Sequence, residues 1–443
     1  MPDPRPWTGR HLHLVGIGGA GMSGYAAVAA QLGATVSGSD RAESPALERL
    51  RAAGIDARAG HEAANLPAAD DTLVVRSTAI GDDNPEVGAA RERGLDVVPR
   101  AELLRELSAL KRTIAVAGAH GKTTTTGMTA HVLLECGVDP AYLIGGELRT
   151  TGLNAAWGDG DWLVVEADES DRSMLSLNVE VAVVTNVELD HHSTYGSLQE
   201  VREVFREFLQ RPAQAVIWDR PDLLGLRGDR PVVAYEAHDV DLGDGGSRLV
   251  WRGHDVRLAV PGLHNARNAV AALEAAALAG ADPARAAQAI ATFSGAGRRF
   301  ETLGRTASGA LVIDDYAHHP TEVAATIAAA RTLGARRVLV AFQPHLYSRT
   351  QHLAGAFGRA LAAADVACVL DVYPARERAS DFPGVTGRLV AEAVADAAPG
   401  RDVLWLPRFD DAEAVLRGRL RDGDVLLVLG AGDVRTLGER LVA

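Results

Sequence analysis

Short runs rich in β-branched residues alternate with alanine-rich stretches over the first hundred residues. HLHLVGI (11–17) predicts a strand, SGYAAVAAQLG (23–33) a helix and TVSGSD (35–40) a second strand. SPALERLRAAG continues as a helix and TLVVRSTAI (72–80) as another strand. This is the βαβ rhythm of a parallel sheet with helices on its faces. A second unit opens at TIAVAGAHGKTTTTGMTAHVLLECG (113–137), with further strands at DWLVVEAD (161–168) and VEVAVVTNV (179–187). Residues 213–262 change character. VIWD, PVVAYE, RLVWRG and VRLAV, parted by Gly/Asp turns, predict an antiparallel addition to the middle of the chain. HNARNAVAALEAAALAG (264–280) returns to a helix, and ADPARAAQAIATF predicts a second, opened by Asp-Pro. A third series of βα units runs from ALVIDDYAHHP (310–320) to VLLVLGAGD (425–433). The expected organisation is three α/β domains, at residues 1–108, 109–296 and 297–443.

The chemistry-bearing residues gather where strands give way to helices. Gly16-Ile17-Gly18-Gly19-Ala20-Gly21 is a GxGxxG loop between a strand and a helix. Such a loop lets the backbone approach a phosphate and presents the free N–H groups of a helix start. Asp40 ends the next strand, where dinucleotide enzymes place a ribose-binding acid. Gly16, Gly18, Gly19, Gly21 and Asp40 thus form a nucleotide-phosphate site. The alternative is that the glycines serve helix–strand packing alone. Gly118, Ala119, His120, Gly121, Lys122, Thr123 and Thr124 form a shortened P-loop, with Val116 where the longer pattern has glycine. In such a loop backbone N–H groups cradle phosphate oxygens, Lys122 reaches the β/γ-phosphates and the Thr123 hydroxyl meets Mg²⁺. ATP and Mg²⁺ are therefore the expected cofactors.

Four acids lie within Glu166-Ala167-Asp168-Glu169-Ser170-Asp171. Their mutual repulsion calls for an Mg²⁺ ion or a basic partner, with a solvated loop as the alternative. Asp190-His191-His192 follows the next strand, so His191 is either a second-metal ligand, a ligand contact or a structural residue. Asn265 and Asn268 open a long helix, where an N-cap is the plain alternative. Arg298-Arg299-Phe300 marks a domain junction, as a hinge ion pair or a phosphate contact. Two histidine-bearing loops, 314–320 and 343–350, end strands of the third unit and suggest a ligand-facing edge.

Composition narrows the partners. Over 443 residues, 45 basic side chains meet 58 acidic ones, for a formal charge of −13. That balance excludes a broad nucleic-acid surface but not a small anion in a local basic pocket. No apolar run reaches membrane-spanning length, and the first ten residues have no apolar signal region. Cys136 and Cys368 lack metal-type spacing, as expected of a reduced cytoplasmic chain. All but two basic side chains are arginine; the lysines are Lys111 and Lys122. A lysine retained against that preference marks work a planar guanidinium cannot do.

Read together and in order, GIGGAGMSG, GAHGKTTTT, EADESD, VTNVELDHHSTY, HNARNA, GRRFE, DDYAHHPTEV and QPHLYSRT resemble the Mur ligase family over nearly the whole chain. The resemblance implies a Rossmann-like UDP-sugar domain, a central P-loop ATPase domain with a mostly parallel sheet, and a Rossmann-like C-terminal ligase domain. It implies that Lys122 and Thr123 hold the ATP phosphates and Mg²⁺, and that Glu166 and His191 serve the metals. Lys122, Glu166 and His191 are then the catalytic candidates, and Thr123, Glu166 and His191 the metal ligands. Asn265, Asn268, Arg299 and Asp315 would contact ATP, while His318 and Arg349 would face the UDP-sugar.

The implied activity is ATP-dependent attachment of L-alanine to the carboxylate of UDP-N-acetylmuramate through an acyl phosphate. It would proceed in the cytoplasm, on a monomer or weak homodimer, without nucleic-acid or membrane partners. No lysine follows Lys122, so the metal-bridging carbamylated lysine of ligases adding later residues has no counterpart. One departure is Leu346, where relatives often carry arginine after QPH. Three alternatives stand: a ligase attaching a preformed peptide to the same sugar, an NAD-dependent dehydrogenase resting on GxGxxG alone, and a P-loop regulatory or scaffold protein, which would leave the carboxyl-edge loops of the third domain unexplained.

Lys122→Arg is expected to abolish phosphate transfer although charge is retained, because the fork cannot replace a point ammonium inside a backbone loop. Turnover measured by phosphate release tests this, and near wild-type turnover would remove the P-loop assignment.

Overall fold

The computed structural model describes residues 5–191, 194–243 and 245–443. Strands β1 (His11–Val15), β2 (Thr35–Asp40), β3 (Asp56–Ala59), β4 (Thr72–Arg76) and β5 (Val97–Pro99) make an all-parallel sheet in the order β3-β2-β1-β4-β5. A larger sheet follows from β6 (Arg112–Ala117), β7 (Ala141–Leu148), β8 (Leu153–Ala156), β9 (Trp162–Ala167), β10 (Val181–Val184), β11 (Gln214–Trp218) and β12 (Val233–Tyr235). Its order is β12-β11-β10-β6-β9-β7-β8, parallel except for the β7–β8 pair. Beside it, β13 (Asp241–Gly243), β14 (Gly246–Trp251) and β15 (His254–Leu258) form a small antiparallel sheet.

The last sheet contains β16 (Glu301–Arg305), β17 (Leu311–Asp315), β18 (Arg337–Phe342), β19 (Val366–Val369), β20 (Asp402–Trp405) and β21 (Asp424–Leu429). It runs β16-β17-β21-β18-β19-β20, with only β16 antiparallel. No helix among the described residues is long and apolar enough to cross a membrane.

The central strands read as unbroken apolar runs because helices cover both faces. Every residue of β10 (VAVV) and β21 (DVLLVL) is buried, so the alternation of a half-exposed strand is absent. Ala115 and Ala117 of β6 join a core continuous with the N-terminal sheet, whereas Ile114 and Val116 face the second core beneath the helix Leu263–Leu278. The antiparallel expectation for 213–262 holds only for its second half. VIWD and PVVAYE become the parallel strands β11 and β12, while RLVWRG and VRLAV pair as β14 and β15. The boundary expected at residue 108 falls inside the helix Arg100–Leu110, which leads directly into β6. Lys111 ends that helix, donating from Nζ to the carbonyls of Gly158 (2.8 Å) and Gly160, over the Trp157 ring.

One polar knot interrupts the N-terminal core. Glu86 is buried and receives the Ser39 hydroxyl (2.7 Å), the Glu62 amide (3.0 Å) and the Asn65 amide group (2.8 Å), with His13 Nε2 at 2.9 Å. Burial opposes ionisation of Glu86, but hydrogen bonds from His13, Asn65 and Ser39 outweigh it and hold its carboxyl down at about 2. The stability this lends is present above the ordinary carboxyl value and fades as pH falls towards the lowered one. In Glu86→Gln, an amide N–H₂ would face donors. Wild type is expected to exceed this variant in unfolding free energy at pH 7, and the gap to narrow by about 2 kcal/mol between pH 5 and pH 3. Urea unfolding at pH 7, 5 and 3 measures it; a gap independent of pH would mean that the carboxylate charge is not what stabilises the knot.

Candidate active site

The parallel strands carry their carboxyl ends towards one cleft, where loops after β1, β6, β9, β10 and β17 converge. β1 and β6 each stand where strand order reverses, the crevice in which open α/β sheets bind ligands. Two adjoining cavities share Gly121, Arg299 and Glu322. The smaller, of 390 Å³, lies between the P-loop, the start of the helix Leu263–Leu278 and the third sheet. The larger, of 1160 Å³, runs from Gly18 and Gly21 past Lys122, Thr123 and Glu166 to His318.

The P-loop is pinned from β10. The Thr185 hydroxyl donates to the His120 carbonyl (2.5 Å), and Asn186 bonds both the amide and the carbonyl of His120 (3.0 and 2.9 Å). Gly118, at φ +147°, could carry no side chain, since a Cβ there would lie 2.1 Å from Thr185 Oγ1. Lys122 Nζ donates to the Gly118 carbonyl (2.6 Å) and to Glu169 (2.9 and 3.1 Å). Burial disfavours the Lys122 charge, yet Glu169 and Asp168 overcome this and hold it protonated well above the ordinary lysine value. Ala119 lines the larger cavity and Thr124 the smaller.

The four clustered acids divide their work. Glu169 pairs with Lys122, while Asp168 and Asp171 take the Arg100 guanidinium (2.6 and 2.8 Å). Among the described residues Glu166 alone of the four has no cationic partner in contact: it accepts the Gly145 amide (2.6 Å) and faces the larger cavity. Burial pushes its carboxyl up, against the Gly145 bond, the Lys122 and Arg299 charges and a Thr123 hydrogen bond. A carboxylate beside a hydroxyl is a hard-oxygen pair suited to Mg²⁺, so Thr123 and Glu166 fit that ion. His191 has a left-handed backbone (φ +54°) and places Nε2 3.6 Å from Glu169 and 3.8 Å from Asp190, on the same cavity. Its neighbour His192 lies outside the described residues.

The smaller cavity holds Asn265, Asn268, Arg299 and Asp315. Asn265 donates to the Pro261 carbonyl (2.7 Å) and is not the helix cap, a position taken by Gly262. Arg299 lies over the Tyr316 ring (5.1 Å), 3.4 Å from the Thr123 hydroxyl and 3.6 Å from Glu322. Asp315 accepts the Phe300 and Ala317 amides (both 2.8 Å), and burial pushes its carboxyl up to about 6. Its far wall, Trp218, Arg220, Tyr235 and Arg267, escaped the sequence reading. Trp218 and Tyr235 end β11 and β12, so reading those strands as parallel would have put both at the ligand-facing edge.

Three placements differ from the sequence expectation. Asp40 does not line either cavity: its carboxylate accepts the Gly18 amide (2.9 Å) and closes the glycine loop. Gly16 and Gly19 likewise shape the turn, through the Gly19 amide to Gly16 carbonyl bond (3.2 Å), whereas Gly18 and Gly21 reach the cavity. Arg349 faces neither cavity. It forms a two-pronged pair with Asp190 (3.0 and 3.1 Å), both side chains 4% exposed, because a guanidinium so deeply desolvated requires a carboxylate. His318 does line the larger cavity, and burial brings it down to about 4.

Arg349→Met leaves Asp190 buried without its counter-charge and is expected to destabilise the protein by about 3–5 kcal/mol. Adding Asp190→Asn should recover a large part of that loss. Chemical denaturation of the two single variants and the double variant reads the coupling; simple additivity would mean the pair does not interact.

Three family models cover the chain: the Mur ligase family catalytic domain over residues 11–112, the Mur ligase middle domain over 116–276 and the Mur ligase glutamate ligase domain over 298–432. The UDP-N-acetylmuramate–L-alanine ligase of Acidithiobacillus ferrooxidans is 47% identical over 458 residues, covering 98% of this chain and 97% of that protein. The enzyme of the same name from Streptomyces coelicolor is 45% identical, with 97% and 96% covered. Among solved structures, the UDP-N-acetylmuramate–alanine ligase of Thermotoga maritima superposes with a TM-score of 0.83 at 30% identity, over 98% of each chain. A murein peptide ligase from Psychrobacter arcticus gives 0.73 at 25% identity, again over 98% of each. With this coverage and the cleft geometry in agreement, the chain belongs to the Mur ligase family.

Proposed function

We propose that the chain joins L-alanine to the carboxylate of UDP-N-acetylmuramate at the expense of ATP, in peptidoglycan precursor synthesis. The observation that carries this reading is the continuity of the two cavities across Gly121, Arg299 and Glu322, which sets a nucleotide-sized chamber against a longer cleft. ATP occupies the smaller chamber, with its base near Trp218 and Arg267 and its phosphates towards Lys122. The UDP-sugar lies along the larger cleft from Gly18 and Gly21, which brings its carboxylate to Thr123, Glu166 and His191. The working division is a UDP-sugar unit (1–108), an ATP unit (109–296) and a closing unit (297–443).

The reaction must bring a carboxylate to a triphosphate, anion against anion. Lys122 and the P-loop amides offset that repulsion as charge shifts onto the transferred phosphate. Mg²⁺, when bound by Thr123 and Glu166 with His191 alongside, supplies further positive charge. Arg299 brings a guanidinium from the third unit to the same point. The carboxylate attacks the γ-phosphorus and ADP leaves; the neutral amine of L-alanine then attacks the acyl carbon, expelling phosphate and losing a proton. His318, neutral at pH 7, faces this cleft as a hydrogen-bonding group rather than a charge.

Phosphate release is expected only when ATP, UDP-N-acetylmuramate and L-alanine are all present, and a tripeptide should not replace L-alanine. Efficient use of the tripeptide would move the chain to the peptide-attaching branch. Tight NADH binding with no response to the UDP-sugar would overturn the ligase reading.

A further inference from the structure

Between the P-loop and the third sheet, at the edge of the smaller cavity, lies a cluster to which the proposed ligation assigns no chemical step. His120 Nε2 is 3.3 Å from Glu188 Oε2, and His319 Nδ1 is 3.7 Å from the same oxygen. One ligand atom from each residue lies within 4.8 Å of the other two, and the imidazole centroids are 4.4 Å apart. Both histidines are buried and Glu188 is partly so. His319 Nδ1 accepts the Thr321 amide (3.4 Å), so this nitrogen carries a lone pair, not a proton. That lone pair is directed at the Thr321 amide, so coordination through Nδ1 requires this long cap bond to give way, with Glu188 Oε2 and His120 Nε2 beside it. Glu188 also accepts the Thr321 hydroxyl (2.7 Å), which fixes its orientation.

We propose that His120, Glu188 and His319 form a site for a zinc-like transition-metal ion that ties the P-loop to the third sheet. Two imidazoles and a carboxylate are a donor set zinc favours, at bond lengths of about 2.0–2.1 Å, with water completing a tetrahedron. Magnesium prefers oxygen donors and would not compete well here. Glu188 and Glu322 both face His120, so the pocket carries carboxylate charge that can balance a bound cation. His120 and Glu188 also line the smaller cavity, so the bound ion sits at the nucleotide's edge and holds the third sheet in place.

The test uses the full chain with Cys136→Ser, so that the partly exposed thiol does not contribute, in excess Mg²⁺ and without nucleotide. Calorimetric titration with Zn²⁺ should give one ion per chain. Adding His319→Ala should weaken binding by at least about tenfold. Co²⁺ should give intense visible bands of tetrahedral coordination in the histidine-bearing protein. This readout stands even if the alanine variant fails to fold. Equal zinc affinity with and without His319, or a weak octahedral cobalt spectrum, would overturn the proposal.

Discussion

Glu322 stands where three parts of the chain meet, and its carboxylate serves all of them. Oε2 accepts the His318 and His319 amides (3.0 and 3.2 Å), closing the first turn of the helix Pro320–Arg331. Oε1 lies 3.7 Å from His120 of the P-loop and 3.6 Å from Arg299 of the linker. Burial opposes its ionisation, and His318, His120 and Arg299 hold it ionised well below the ordinary value. A desolvated carboxylate costs several kcal/mol unless matched, so the helix, the P-loop and the linker cannot be positioned independently. Both cavities have this residue in their wall, which makes their continuity a product of the same charge.

Elsewhere in the cleft, charge is matched pair by pair. Lys122 lies against Glu169, Arg100 against Asp168 and Asp171, and Arg349 against Asp190. The Arg100 and Arg349 pairs each join different sheets, so electrostatics does the docking that apolar packing does within each core. The cations that reach the cleft, Lys122 and Arg100, are thus held in place by carboxylates rather than left free.

What could be read from the chain was governed by range. The glycine loop and the P-loop are contiguous, and their strand–loop–helix context is written in neighbouring residues, so β1, β2 and β6 were legible. β11 and β12 were not, because a short apolar run does not reveal the direction of its partner. Arg349 looked like a substrate contact because the buried acid that claims it is 159 positions away. The acidic cluster was recognised as needing cations, but which acid takes which cation is settled only by the approach of Arg100 and Lys122. Asp40 sits where a ribose acid belongs, yet in this structure its carboxylate accepts the Gly18 amide at 2.9 Å and lines neither cavity.

The near absence of lysine gives the molecule an unusual chemical surface. Of its two side-chain amines, Lys122 is enclosed by Gly118 and Glu169, and Lys111 is tied to two carbonyls over an indole ring. Guanidinium groups keep their charge across the whole physiological range and are poor nucleophiles. Solubility and ion pairing are therefore carried by groups that acylating agents, reducing sugars and cyanate leave largely untouched. The side-chain amine that such reagents would find most consequential is the one the P-loop already shields.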